Sequence, residues 1–412
     1  MLIELYDGSD AATYILYKYI IHIPNPLNLT NIIIRPCHIG KPSNLKSKSR
    51  RDLNDDMCKV DFNCNINDEN LCEKAKNSLY DACQNISSLL ILKEQIVINA
   101  TFLADNSYYL GATAPARLYL LKSEDGVIRA YPQALAKQFE LTLNDTLPYD
   151  IEMVFNPYEP ISALQYNFFI ISLHEIFHGL GFFSLFGNSF ATDVGLSSES
   201  ISPYPEFTGN VFEGFVETIF DKFVYILADS SEPENIDINS FTNITAEFNK
   251  IGPPPKTYSS ESEFLEELTE SPQWKNIPPY LYRKFTLQDS TIFIPLNEDV
   301  SNGTYLETGI AYNQGSTISH VSSNKYRDTS DFLMVYNTEA GISTESLINK
   351  FGVLISPRLI AIMYSIGGEP EPEDPGSPPS STNTIIHNSS STKICLDTWR
   401  LWKFALMILI QL

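Results

Sequence analysis

The 412-residue sequence is short of basic residues. It has 28 lysines and arginines against 50 aspartates and glutamates, which gives a formal net charge of −22 at neutral pH. A protein this acidic is repelled by nucleic acids and by anionic membrane surfaces, so neither is expected as a partner. Histidine is also scarce, with six in the whole chain. Any pattern that uses several of them is therefore informative.

The six cysteines contain no Cys-x-x-Cys pair, so a zinc ribbon is not expected. Four of them, Cys58, Cys64, Cys72 and Cys83, lie close together and predict two local disulfides whose pairing stays open. Seven Asn-x-Ser/Thr sequons also favour secretion, which predicts an extracellular or cell-surface location. The start of the chain lacks the basic and then apolar pattern of a signal peptide, which conflicts with that prediction.

Composition divides the chain into four segments. Residues 1–51 end in a dibasic stretch, which predicts either a removable pro-segment or a solvated basic loop. Residues 52–368 mix strand and helix patterns and predict one α+β domain. Residues 369–390 form an acidic linker rich in proline and serine. Residues 391–412 end in an apolar tail shorter than the roughly 20 residues of a membrane span, which predicts a GPI-anchor signal or a packed amphipathic helix.

Periodic apolar patterns predict the elements around the most informative motif. Runs rich in apolar residues at 95–100 and 116–121 predict strands. Residues 162–180 predict a helix that Gly181 stops. Its apolar residues cover nearly the whole circumference, so this helix is expected to be buried in the protein.

The predicted helix carries the motif His174-Glu175-Ile176-Phe177-His178. Side chains four residues apart share one face of a helix, so His174 and His178 can bind the same zinc ion. Glu175 lies beside them and is the candidate general base that takes the proton of a zinc-activated water. The alternative is a buried helix that carries two histidines by chance, and its polar groups would then need other partners.

A catalytic zinc usually has three protein ligands, so a third histidine is expected. His22 and His38 fall in the predicted pro-segment, and His387 falls in the linker. His320 is the remaining histidine of the predicted domain. Elimination makes it the candidate third ligand, the alternative being a surface histidine or one satisfied by other hydrogen bonds.

The motif continues through Gly181 to Ser184 and resembles the metzincin signature H-E-x-x-H-x-x-G-x-x-H, with Ser184 where the third histidine would stand. Leishmanolysin-like peptidases are similar, because their third histidine follows an insertion. The resemblance implies a zincin or metzincin-like α+β fold with one zinc ion. It also implies that His320 is the third ligand and that residues 186–313 form an insertion over the cleft.

The same resemblance assigns roles to three further residues. Met334 would form the Met-turn, an apolar floor under the metal that does not ligate it. Tyr336 would contact the metal or the oxyanion, although a plain core tyrosine is the alternative. Cys37 resembles the cysteine switch of metzincin pro-segments, with an ordinary cysteine as the alternative. Stretches at 111–117 and 131–135, together with the His174 region, resemble an uncharacterised group of fungal secreted proteins.

Together these features predict a secreted or cell-surface zinc-dependent endopeptidase that acts on polypeptides, with GPI anchoring through the tail. The rival interpretation is a non-catalytic surface protein on the same fold. Glu175 discriminates between the two, because a protein that has lost catalysis has no need of the general base.

Overall fold

The structure, a computed structural model, describes most of residues 57–367 and four short strands from the terminal segments. The rest of the predicted pro-segment, linker and tail lie outside the described residues. Within 57–367, the ranges that are also outside the description are 91, 104–108, 124, 140–142, 144–145, 157–164, 228–238 and 339–340.

Helices occur together with several sheets of parallel and antiparallel strands, so the protein is α+β, as the sequence predicts. The strands are β1 (Leu2–Glu4), β2 (Pro36–Cys37), β3 (Cys58–Cys64), β4 (Ile96–Phe102), β5 (Tyr109–Pro115), β6 (Leu118–Lys122), β7 (Ile128–Pro132), β8 (Ile151–Phe155), β9 (Gln165–Asn167), β10 (Tyr204–Thr208), β11 (Val211–Thr218), β12 (Val224–Ile226), β13 (Lys256–Thr257), β14 (Thr291–Phe293), β15 (Thr304–Tyr305), β16 (Lys393–Leu396) and β17 (Leu409–Gln411).

The helices are α1 (Glu69–Leu89), α2 (Gln133–Ala136), α3 (Phe168–Gly179), α4 (Ser189–Asp193), α5 (Phe241–Phe248), α6 (Glu261–Glu270), α7 (Pro272–Phe285), α8 (Ser323–Tyr326), α9 (Thr344–Phe351) and α10 (Pro357–Gly367). Short 3-10 turns cover Lys137–Phe139, Asp221–Phe223, Val300–Asn302 and Phe332–Met334. None of the helices among the described residues combines the length and the apolar character that crossing a membrane requires.

The first sheet has the order β3-β4-β8-β5-β17. Strands β3, β4 and β8 are parallel, and β5 runs antiparallel to β8. Strand β4 alternates between buried and half-buried residues, as expected for a strand with one face on the core. Helices α1 and α3 pack on each other, and α3 lies against β5. The sheet therefore supports the helix that carries His174 and His178.

Two disulfides join β3 to α1, which confirms the prediction of two local bridges among the four clustered cysteines. Cys58 pairs with Cys83, and Cys64 pairs with Cys72. Helix α1 begins where the Asp68 side chain accepts a hydrogen bond from the Leu71 amide at 3.0 Å. The bridges thus fix both ends of β3 to the helix that covers it.

Helix α3 begins later than the sequence predicts. It starts at Phe168, not near residue 162, because the Asn167 side chain caps it by accepting a hydrogen bond from the Ile170 amide at 3.2 Å. All twelve of its residues are buried, as predicted. The predicted stop at Gly181 is close to the observed end at Gly179, and Gly181 takes a left-handed φ of +121°.

The second sheet joins residues 186–313 to the body of the protein. Strands β6 and β7 form an antiparallel pair, and β11 extends it in parallel with β7. The buried Arg129 guanidinium on β7 donates to the Glu217 carboxylate on β11 at 2.6 Å. A buried ion pair of this kind holds β11 in register with β7. The segment between the two predicted histidine motifs is therefore built into a sheet.

Candidate metal centre

Three histidine side chains converge in the interior of the protein. His174 and His178 lie on α3, and His320 lies in the segment between β15 and α8. The Nε2 atoms of His174 and His178 are 2.9 Å apart, and those of His174 and His320 are 3.0 Å apart. The Nε2 atoms of His178 and His320 are 3.2 Å apart. Among the histidine, cysteine and acidic side chains of the described residues, these three histidines lie close enough together to share one metal ion.

The second ring nitrogen of each histidine faces a backbone carbonyl oxygen. Leu333 supplies the carbonyl for His174 (2.6 Å), Phe182 for His178 (2.7 Å) and Ser316 for His320 (3.1 Å). A carbonyl only accepts, so each Nδ1 carries the proton and each neutral ring directs an Nε2 lone pair at the other two. Three lone pairs about 3 Å apart repel one another unless a cation lies among them.

This donor set fits a zinc ion. Neutral imidazole nitrogens bind zinc at about 2.0–2.1 Å, and nitrogens this close together can share one ion at that distance. The Nδ1–H groups bound to carbonyls are the usual outer partners of metal-binding histidines, because they fix the tautomer and the orientation of the ring.

Burial keeps the three imidazoles in the neutral form that binds metals. It lowers the pKa of His174 to about 4, against the opposing effect of the Leu333 carbonyl. Burial also lowers the pKa of both His178 and His320 well below the usual value, and neighbouring imidazoles lower it further. At neutral pH none of the three rings needs to lose a proton before it binds a cation.

A network of backbone hydrogen bonds places His320 against α3. The Glu307 amide donates to the His320 carbonyl at 2.8 Å, and the Val321 amide donates to the Met334 carbonyl at 2.8 Å. Ile318, two residues before His320, takes a left-handed φ of 58°, which is strained for a β-branched residue. Such a backbone persists only where its surroundings impose it, so the position of His320 is firmly set.

Glu175 lies on α3 between the two histidines and is completely buried. Neither of its carboxylate oxygens has a hydrogen-bond partner of ordinary geometry among the described residues. Burial raises the pKa of Glu175 to about 8, and the nearby Thr113 hydroxyl opposes that rise. A Cβ at Gly111 on β5 would lie 2.9 Å from Glu175 Oε1, so a larger residue there would have to push the carboxylate aside.

A cavity of about 270 Å³ adjoins His174. Most of its wall is apolar and includes Ile170 on α3, Phe332 in the Phe332–Met334 turn and Leu347 on α9. Arg327 and Lys350 supply positive charge to its lining, and Asp328 pairs with Lys350. The cavity is large enough for a bulky side chain, and a group within it would lie beside His174.

Of the other two predicted site residues, the structure brings Met334 close to the histidines but does not place Tyr336 in the cavity. Met334 is buried in the Phe332–Met334 turn next to Leu333, whose carbonyl accepts from His174. Tyr336 is half-buried and is not among the residues that line the cavity beside His174. Its catalytic role stays a prediction. Cys37 lies on β2, and its side chain is outside the description.

Sequence reasoning missed the groups that hold the site in place. They are the carbonyls of Leu333, Phe182 and Ser316, the space at Gly111, and the cap at Asn167. Backbone carbonyls carry no sequence signal, because every residue has one. Gly111 stands out only once β5 is seen to lie against Glu175.

The fold and the site together define an α+β protein with a buried centre of three histidines. Residues 24–376 match the SPBPB7E8-like family, and the protein belongs to that family. It is also similar to protein PB7E8.01 of Schizosaccharomyces pombe, described as uncharacterized, with 27% identity over 270 residues. That match covers 58% of this chain and 44% of the relative, so it spans less than half of the relative's length. No solved structure matches the chain.

Proposed function

We propose that the protein is a zinc-dependent endopeptidase with a metzincin-like catalytic domain. The observation that carries the proposal is the convergence of three Nε2 lone pairs beside a completely buried glutamate. Each imidazole is fixed by a carbonyl on its other nitrogen, which is the arrangement a divalent ion requires. His174, His178 and His320 would hold the ion.

Zinc bound there would polarise a substrate carbonyl and lower the pKa of a water molecule. Glu175 would take a proton from the attacking water as the water oxygen adds to the carbonyl carbon. It would then give that proton to the leaving nitrogen as the carbon–nitrogen bond breaks. Glu175 suits this exchange because it lies on α3 between His174 and His178, and burial raises its pKa to about 8, which helps it to hold the proton between the two steps.

The cavity beside His174 supports a polypeptide substrate. Its apolar wall fits a large apolar side chain next to the scissile bond, and bringing that side chain out of water would contribute to binding. The two disulfides support a secretory route, in agreement with the proposed extracellular or cell-surface location.

The test combines zinc content with hydrolysis. The purified full-length protein should contain about one zinc per chain, cleave a generic unfolded protein, lose activity to a chelator and regain it with zinc. His320→Ala should lose most of the zinc, whereas His387→Ala, in the linker, should keep it. A zinc-loaded wild-type protein without hydrolysis would refute the peptidase and favour a non-catalytic surface protein.

A further inference from the structure

The loop that follows α3 links the metal centre to the segment inserted between its ligands. The Phe182 carbonyl accepts from His178 Nδ1 at 2.7 Å, so the position of this loop sets the direction of that imidazole. Two residues later comes Ser184, at the position where the metzincin signature has its third histidine. The loop at 183–185 therefore carries a serine at the position of that ligand, so other contacts must hold the loop in place.

Side chains from far along the chain hold that loop instead. Ser319 Oγ accepts from the Ser184 amide at 3.2 Å, and Asp221 Oδ2 accepts from the Leu185 amide at 3.1 Å. The Thr218 hydroxyl donates to the Phe183 carbonyl at 3.1 Å. We call Thr218, Asp221 and Ser319 the loop clamp.

The loop clamp is preorganised. Asp221 Oδ2 also accepts from the Thr218 amide at 2.8 Å, and the Asp221 amide donates to the Thr218 hydroxyl at 3.1 Å. Both residues are completely buried at the end of β11. Since β11 pairs with β7, the clamp is anchored in the second sheet. Asp221 Oδ2 accepts hydrogen bonds from both the loop and Thr218, so Asp221 is the central member of the clamp.

We propose that Asp221 is a positioning residue for the metal centre. Through the loop at 183–185 it orients His178, by way of the Phe182 carbonyl, and His320, by way of its neighbour Ser319. In the metzincin signature the third ligand lies near the second because only a few residues separate them in the chain. Here the loop clamp would hold the distant His320 in place instead. This inference rests on the proposed zinc site, and it concerns metal affinity rather than the chemistry of hydrolysis.

Zinc affinity of the full-length protein, measured by competition with a chromophoric chelator, tests the proposal. Asp221→Ala should weaken affinity by about tenfold, the lower end of the effect of removing a direct outer partner of a metal ligand, because Asp221 acts through the loop. Its cobalt-substituted form should also show an altered visible spectrum, because the ligand geometry changes. Asp221→Asn keeps an acceptor oxygen for both amides and should restore affinity and spectrum. Thr218→Val removes one loop bond at nearly constant shape and serves as a second variant should Asp221→Ala not fold.

Asn249→Ala is the matched control within the same insertion. It removes two hydrogen bonds to the Phe215 backbone, at 2.7 and 3.0 Å, and should lower thermal stability without changing zinc affinity. Wild-type affinity and spectrum in both Asp221→Ala and Thr218→Val would overturn the inference alone. Wild-type protein that binds no zinc would overturn the proposed function as well.

Discussion

Glu175 is the residue at which burial and chemistry are most closely linked. Its side chain is completely out of water, with no hydrogen bond of ordinary geometry to the described residues, and its pKa rises to about 8. A buried carboxyl group without a partner is unfavourable for stability. The proposed role in proton transfer would explain why this completely buried helix carries a carboxyl group at that position.

Replacing Glu175 by glutamine should separate metal binding from catalysis. The amide has nearly the same shape and leaves all three histidines in place, but it cannot accept the proton of the attacking water. Zinc content should stay at the wild-type value, while turnover of an unfolded protein should fall by about a hundredfold or more. Glu206→Gln, at another buried glutamate, should leave both quantities unchanged. Wild-type turnover in zinc-loaded Glu175→Gln would exclude Glu175 as the base.

Asp221 should give the stability of the protein a measurable pH dependence. Burial raises its pKa from 3.8 to about 7, and the carboxylate of Glu217 adds to the rise. Because the folded-state pKa lies above the unfolded value, the folded state favours the protonated form. The resulting stability is present below about pH 3.8 and is lost as the pH rises through about 7. Wild type should therefore lose stability relative to Asp221→Asn over this interval in urea unfolding. A difference that stays constant with pH would contradict the shift.

At the scale of elements, the sequence predicts the long periodic segments well and their ends poorly. Strand β4 was expected at 95–100 and spans Ile96–Phe102. Helix α3 was expected from 162 and starts at Phe168, because the cap is Asn167 and residues just before it pair as β9. An apolar run continues through such a boundary, so only the capping contact reveals it.

The site itself was predictable where chemistry constrains residue type. Histidines at i and i+4 must share a helical face, and elimination among six histidines leaves His320, which the structure brings to 3.0 Å from His174. The pairing of β11 with β7 and the loop clamp were not predictable. They depend on contacts between residues 35 to 135 positions apart, for which a single sequence carries no signal.

The disulfides between β3 and α1 should differ in their contribution to stability. Cys58–Cys83 closes a loop of 25 residues and Cys64–Cys72 a loop of 8. In the chain-entropy description, closure of the longer loop is worth about 3.5 kcal/mol and closure of the shorter about 2.5 kcal/mol. Replacing Cys58 and Cys83 together by alanine should thus lower the free energy of unfolding more than the same change at Cys64 and Cys72. Equal losses would show that loop closure does not set the difference.

Over the whole molecule, the three-histidine centre joins parts that lie far apart in the chain. His174 and His178 come from a helix on the first sheet, whereas His320 follows a long segment that is built into the second sheet. An ion that binds all three would add a link between these parts and should stabilise the folded protein as a whole. Residues that hold the segment in place, such as the loop clamp, would then act on zinc affinity from a distance.

Both ends of the chain should be absent from the mature protein. Cleavage after Arg51 would remove Cys37, and cleavage near residues 388–390 would remove Cys395. The mature protein would then keep four cysteines, which the two observed bridges use completely. The linker at 369–390 would become a stalk between the catalytic domain and a GPI anchor.

Mass spectrometry of the protein from its native source tests this. The expected result is a mature N-terminus at Asp52 and a C-terminal peptide that ends near residues 388–390 with a GPI modification. The backbones of β2, which contains Cys37, and β16, which contains Cys395, are antiparallel neighbours, so retention of both ends is a specific alternative. A disulfide between Cys37 and Cys395, or an intact peptide from 388 to 412, would establish it. Removal leaves only the four cysteines of the two observed bridges, whereas retention leaves Cys37 and Cys395 to pair as well. The disulfide map therefore distinguishes the two outcomes.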